Sequence, residues 1–102
     1  MIFFKDQIEY ITEQIVSKYN PLKIILFGSC AKECVTKSSD IDLCIICEYE
    51  DKKKMLMDMF MYIESEKDID LILYRPTEWE QYKEDTTTFA SIINRKGMIL
   101  YG

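Results

Sequence analysis

Three short, densely apolar runs constrain the fold of this chain most strongly. They are LKIILF (Leu22–Phe27), IDLCIIC (Ile41–Cys47) and IDLILY (Ile69–Tyr74). Each run has the length and composition of a buried strand, and no apolar stretch approaches the ~20 residues that a membrane-spanning helix needs. The chain is therefore expected to fold around a small β-sheet.

The segments between these runs have helical patterns. Isoleucines at 8, 11 and 15 recur at helical spacing and predict an amphipathic helix over Lys5–Tyr19, which Asn20-Pro21 ends. A second helix is predicted over Asp51–Ser65, a short one around Trp79, and a last one after Thr88 with Gly97 as its C-cap. A short helix is also predicted over Cys30–Val35, and a terminal strand over Met98–Tyr101. The residues predicted to face the core are Met55, Leu56, Met59, Phe60 and Ile63 on the second helix, and Phe89, Ile92 and Ile93 on the last helix.

The order of these elements predicts an α/β (α+β) fold in which helices flank a small mixed sheet. A full helix joins the second and third strands, so these strands are expected to be parallel. Only about a dozen residues separate the first two strands, which is the lower limit for a parallel crossover, so these are expected to be antiparallel. Gly28-Ser29, the pair Asp40 and Asp42, and the pair Asp68 and Asp70 would then meet at one edge of the sheet.

Composition bounds the class of protein. With 102 residues the chain is expected to form a single domain over 1–102. Its net charge of −5 argues against a nucleic-acid partner, which would favour a basic surface. No cleavable signal or membrane segment is visible, so a cytoplasmic location is expected. The chain has no histidine, which removes histidine-based triads and a histidine general base.

The four cysteines are Cys30, Cys34, Cys44 and Cys47. The Cys44-x-x-Cys47 pair could indicate a zinc or redox site, or small buried residues. Residues three apart on a strand point to opposite faces of a sheet, which favours buried, free thiols.

Carboxylates dominate the predicted sheet edge. Asp40 and Asp42 would share one face of a strand, and Asp70 on the neighbouring strand can aim at the same spot. Like charges so placed repel unless a cation lies between them, and hard oxygen ligands suit Mg²⁺ or Mn²⁺. Ser29 follows a glycine at a predicted helix N-terminus, where backbone N–H groups favour a phosphate. This edge of the sheet therefore combines carboxylates that could bind a metal ion with a turn that could bind the phosphates of a nucleotide.

The spacing G28-S29, ten residues, D40-x-D42 resembles the signature of the minimal nucleotidyltransferases, small members of the DNA polymerase β-like superfamily. The resemblance extends over LKIILFGS, SSDIDLCI, DIDLIL and the ending RKGMILYG. It implies nucleotidyl transfer from a nucleoside triphosphate, normally ATP, with two Mg²⁺ ions. Asp40, Asp42 and Asp70 would be the catalytic metal ligands, and Gly28 and Ser29 would hold the triphosphate.

The resemblance also implies a mechanism of in-line attack on the α-phosphate. One metal, held by all three aspartates, would activate an acceptor hydroxyl, and a second, held by Asp40 and Asp42, would neutralise the departing pyrophosphate. Asp70 could receive the hydroxyl proton. Lys32 is either a phosphate contact or a solvated helix lysine, and Glu33 departs from the family pattern by replacing a glycine of the phosphate loop.

Many proteins that this chain resembles pair with a small helical HEPN toxin and add AMP to a tyrosine of it, thereby acting as antitoxins. The same partner and role are expected here. The methionines of the second helix alternate, so they either form a wide core face or leave Met57 and Met61 partly exposed, near a surface that could bind another chain. Two alternatives stay open: an inactive homologue that acts by binding a partner alone, and an enzyme for a small hydroxylated substrate. Self-association also stays open, because so small a core leaves its cleft open on one side.

Overall fold

The computed structural model describes residues 4–28 and 40–102. Its elements in chain order are α1 (Lys5–Tyr19), β1 (Lys23–Phe27), β2 (Ile41–Ile46), α2 (Lys52–Tyr62), β3 (Ile69–Tyr74), α3 (Pro76–Tyr82), α4 (Phe89–Lys96) and β4 (Met98–Tyr101). The predicted helix Cys30–Val35 lies outside the described residues. Within the described ranges, no helix is long and apolar enough to cross a membrane.

The four described strands form one mixed sheet in the order β3-β2-β1-β4. β1 is antiparallel to both β2 and β4, whereas β2 and β3 are parallel. These directions confirm the prediction from connection length: α2 supplies the long crossover that parallel strands need, and the shorter link between β1 and β2 reverses the chain. The predicted α/β fold with helices flanking a mixed sheet is confirmed.

Two apolar clusters lie on opposite faces of the sheet. α1 and α2 cover one face, where isoleucines 8, 11 and 15 of α1 pack with Met59 of α2 and with alternate residues of the strands. α3 and α4 cover the other face, where Trp79, Ala90 and Ile93 pack on Ile25, Cys44 and Ile46. Successive side chains of β2 point to opposite faces of the sheet, so alternate residues of this strand are buried by the α1 and α2 layer and by the α3 and α4 layer.

Cys44 and Cys47 follow this alternation. Cys44 lies in the cluster under α3 and α4, and Cys47 lies in the cluster under α1 and α2. Both thiols are buried and free, and burial raises the pKa of Cys44 to about 12. Because the two thiols face opposite sides of the sheet, they do not form a shared metal or redox site, as expected from their spacing.

α2 ends earlier than its pattern predicted, at Tyr62 rather than near Ser65. The side chain of Gln14 explains this, since its Nε2 donates to the carbonyl oxygen of Glu64 at 2.8 Å and its Oε1 accepts from the Glu64 N–H at 2.7 Å. These two bonds from α1 satisfy the backbone N–H and C=O of Glu64 in place of a further helical turn.

Two of the predicted inner faces were partly wrong. Phe60 of α2 is 49% exposed, and Phe89 and Ile92 of α4 are 48% and 40% exposed. α4 instead buries the small residues Ala90 and Ser91 beside Ile93. Small residues let the helix approach the sheet closely, so its larger apolar side chains lie at the margin of the contact.

Candidate functional site

The strand register places three side chains in a row across the sheet. Phe27 of β1 pairs with Asp42 of β2, and Asp42 pairs with Asp70 of β3. Paired residues on neighbouring strands project from the same face, and the strands lie about 4.7–4.9 Å apart. Phe27 packs against the apolar cluster under α3 and α4. The row therefore projects from that face of the sheet, with Asp42 in the middle.

Asp42 is the electrostatic centre of this row. The pKa of Asp42 is raised to about 6, and burial of its carboxyl group is the largest cause. Three smaller effects act in the same direction: the charge of Asp70, a hydrogen bond between the carboxyl groups of Asp42 and Asp70, and the charge of Asp40. The three predicted carboxylates are thus close enough to influence one another. A carboxyl group that neighbouring carboxylates repel is a place where a cation would relieve the repulsion.

Gly28 closes the site on the side of β1. It adopts a positive φ of 74°, and a Cβ atom there would collide with the carboxylate of Asp42. The backbone can therefore approach Asp42 only because this residue is glycine. Ser29 and Lys32, the other predicted nucleotide-binding residues, lie outside the described residues, as does Glu33.

An open acidic cleft of about 430 Å³ runs along the β3 side of the row. Asp40, Asp68 and Asp70 line it together with Lys67 and Phe60. Asp68 is exposed, and its carbonyl oxygen accepts the Ile41 N–H at 2.9 Å, which fixes the start of β2 beside β3. Asp70 rather than Asp68 is the residue that pairs with Asp42.

Among the described residues, Asp40, Asp42 and Asp70 offer hard carboxylate oxygens, the ligand type that suits a hard divalent cation. Across ranges 4–28 and 40–102, no group of three or more His, Cys, Asp or Glu side chains already has the arrangement of a metal site. Asp40, Asp42 and Asp70 would therefore have to close further around a cation. Asp42 and Asp70 are already neighbours, because they pair across β2 and β3.

A second concavity, which we call the aromatic groove, lies on the other side of the row and was missed by the sequence analysis. It has a volume of about 180 Å³ and is lined by Phe27, Gly28, Phe89, Ile92, Ile93 and Lys96. The rings of Phe27 and Phe89 meet edge to face, with centroids 5.6 Å apart and planes at 82°. The position of Phe27, directly before Gly28 at the end of an antiparallel strand, was the available signal.

The fold and these residues define a class: a small α/β domain with a carboxylate cluster beside a glycine turn at one edge of a mixed sheet. A family model described as "Polymerase beta, Nucleotidyltransferase" matches residues 9–102. The chain therefore belongs to the polymerase β-like nucleotidyltransferase family, and transferase activity is supported at the level of that family.

Known structures agree with this assignment of fold. A crystal structure described as a "putative nucleotidyltransferase from Sulfolobus solfataricus" is similar, with a TM-score of 0.65 and 17% sequence identity. The similarity covers 94% of this chain and 78% of the other. At this identity the likeness shows the fold alone. No curated protein sequence matches the chain significantly.

Proposed function

We propose that this protein is a protein adenylyltransferase that transfers AMP from ATP to a tyrosine hydroxyl of a HEPN-type helical toxin and so acts as its antitoxin. The observation that carries the proposal is the convergence of Asp40 and Asp70 on Asp42, directly beside the backbone of Gly28. Repelling carboxylates next to a glycine turn match the needs of a site that binds Mg²⁺ and a triphosphate. The choice of ATP, tyrosine and HEPN partner rests on resemblance to the minimal nucleotidyltransferases.

In the proposed reaction the tyrosine oxygen forms a bond to the α-phosphorus of ATP. The bond from that phosphorus to the bridging oxygen breaks, and pyrophosphate leaves. Asp70 lines the open cleft, which supports a role for its carboxylate as the acceptor of the hydroxyl proton. Two Mg²⁺ ions, held by Asp40, Asp42 and Asp70, would lower the pKa of the hydroxyl and neutralise the departing pyrophosphate.

The surface of α2 supports a protein acceptor. Met57 is 57% exposed and Met61 is 87% exposed, so the exposed alternative holds over the wide core face, and Phe60 lies between them. Phe60 also lines the acidic cleft with Asp40 and Asp70, so this apolar surface leads directly to the proposed catalytic carboxylates. Flexible methionines are suited to protein contacts. We call Met57, Phe60 and Met61 the α2 surface.

The test combines the purified chain, Mg²⁺ and the protein encoded by the adjacent reading frame with ATP labelled at the α-phosphate. The expected result is label on one tyrosine of the partner, whose mass rises by one AMP. ATP labelled at the γ-phosphate should transfer no label, and Asp42→Asn should abolish transfer. Tight partner binding that survives Asp42→Asn without any nucleotide binding would instead support the inactive homologue. Turnover on a small hydroxylated compound without a partner would support the third alternative.

A further inference from the structure

We propose that the aromatic groove is the subsite for the nucleobase of the nucleoside triphosphate, with Phe89 as its stacking platform. This inference rests on the proposed function, because it assumes that a nucleotide binds at Asp42. It adds a position for the base and a residue on which base affinity depends. The groove is outside the carboxylate cluster, yet Gly28 belongs to both.

Continuity across Gly28 is the first step of the argument. Gly28 lines the groove and also lies against the carboxylate of Asp42. Phe27 also lines the groove and is the register partner of Asp42. A ligand whose phosphates lie at Asp42 therefore reaches the groove within one strand spacing, about 4.8 Å.

The position of the groove decides which part of the reaction it serves. Asp42 has the acidic cleft and Asp70 on its β3 side, and the aromatic groove on its β1 side. Asp70 is the proposed acceptor of the hydroxyl proton, so the acceptor enters over β3. The nucleotide, whose triphosphate is expected near Gly28, then extends toward the groove.

The chemistry of the groove fits a flat, weakly polar ring and not a phosphate chain. Its walls are the two phenylalanine rings and two isoleucines, and its volume of about 180 Å³ is below the ~300–1,000 Å³ of sites for whole drug-sized ligands. It therefore suits one moiety of a larger molecule. The perpendicular rings of Phe27 and Phe89 form a corner in which a planar ring can stack on one and meet the edge of the other.

The half-exposed state of Phe89 is consistent with a binding role. It is 48% exposed at the first turn of α4, and Thr88 fixes this turn by accepting the Ser91 N–H at 3.3 Å. A helix start held by a capping bond gives the ring a fixed backbone. Among the residues that the structure describes, Lys96 at the other end of α4 is the charged side chain that lines the groove, so its amine is positioned to donate to acceptor atoms on a base edge.

Stacking tolerates any base, because every base has an aromatic face. Phe89 should therefore support all four nucleoside triphosphates, and discrimination among them should depend on Lys96. Lys96→Gln is expected to change the order of affinity among ATP, GTP, CTP and UTP more than the average affinity.

The experiment compares the binding of Mg·ATP with that of Mg·tripolyphosphate, which has the phosphates and lacks the base, by calorimetry. Phe89→Ala should weaken ATP binding on the order of tenfold and leave tripolyphosphate binding unchanged. Phe89→Trp should restore ATP binding. Tyr101→Ala is the matched control, since it removes another part-exposed aromatic ring, 38% exposed on β4 and outside the groove.

Each other result has a definite meaning. Equal weakening of both ligands, or unchanged ATP affinity, would overturn the base subsite and leave the proposed function intact. Slower AMP transfer by Phe89→Ala at unchanged ATP affinity would assign the groove to the acceptor and also overturn the inference. If the wild type binds neither ligand, the proposed function and this inference fall together.

Discussion

The carboxylate of Asp42 occupies the space that a Cβ atom at Gly28 would need. This relationship joins the end of β1 to the start of β2, and it explains why a Gly-Ser turn and an aspartate pair, distant in sequence, belong to one site. The close approach also contributes to the burial that raises the pKa of Asp42.

Gly28→Ala should therefore damage the site more than the fold. The positive φ of 74° would strain an alanine by about 1–3 kcal/mol, and the new methyl group would displace the Asp42 carboxylate. We expect AMP transfer to fall well beyond what the lost stability explains, which urea denaturation and label transfer would measure together. Gly102→Ala is the control, because Gly102 also has positive φ but lies beside Leu22 and Lys23 at the other end of β1. Similar losses of transfer in both variants would refute the special role of Gly28.

The stability of the metal-free protein should depend on the protonation of Asp42. Its pKa of about 6 in the folded protein exceeds the ordinary 3.8, so the folded state binds this proton more tightly than the unfolded state. The resulting stabilisation is fully present below pH 3.8 and is lost as the pH rises through 6. Asp42→Asn, which is neutral at every pH, should therefore be more stable than the wild type at pH 7 and lose this advantage near pH 4.

Thermal denaturation in EDTA across pH 4 to 8 would check this sign. Asp85→Asn is a useful contrast, because hydrogen bonds from the Thr87 hydroxyl and N–H lower the pKa of Asp85. The stabilisation from Asp85 is present above its ordinary pKa and is lost as the pH falls, so this variant should be less stable than the wild type at pH 7. An Asp42→Asn variant that behaves in the same way would contradict the raised pKa of Asp42.

Much of this fold could be predicted because the strongest patterns were local. The three apolar runs became β1, β2 and β3, and the lengths of the links between them determined the strand directions. What failed depended on contacts between distant segments. Nothing near Tyr62 in sequence shows that Gln14 of α1 will end α2, and the apolar character of Phe89 does not show that Ala90 will bring α4 onto the sheet.

The candidate site likewise has a part that could be predicted from local patterns and a part that depends on contacts between distant segments. The juxtaposition of Asp42, Asp70 and Gly28 followed from strand direction alone. The aromatic groove did not, because it needs α4 to lie beside the end of β1, and the predicted inner face of α4 was correct for Ile93 but not for Phe89 and Ile92. The roles of the aspartates, Gly28, Ser29 and Lys32 stay predictions.

Mg²⁺ should stabilise the wild type by neutralising the repulsion at Asp42. A cation at ten times its dissociation constant adds about 1.4 kcal/mol, or roughly 6–11 °C in Tm for a domain of this size. The shift should disappear in Asp42→Asn and in Asp70→Asn at pH 7.5, measured by differential scanning fluorimetry. An undiminished shift in either variant would mean that the ion binds elsewhere.

Asp70 and its neighbour Asp68 provide a matched pair for testing catalysis. Both are exposed and line the acidic cleft, but only Asp70 pairs with Asp42 across the sheet. Asp70→Asn should reduce AMP transfer on the order of 10²–10⁴-fold, the range for loss of a general base. Asp68→Asn removes the same charge two residues earlier and should retain most of the activity. The reverse order in a label-transfer assay would move the third carboxylate to Asp68.

The α2 surface should control partner binding independently of the nucleotide. Met57→Gln combined with Met61→Gln keeps good helix formers while removing apolar contact area, so binding of the HEPN-type partner should weaken more than about fivefold. ATP affinity should not change, because neither methionine lines the acidic cleft or the aromatic groove. Ile99→Gln is the control, since Ile99 on β4 is 57% exposed, the same fraction as Met57. Calorimetry with the purified partner would decide: equal weakening by Ile99→Gln, or none by the methionine pair, would place the interface on another face.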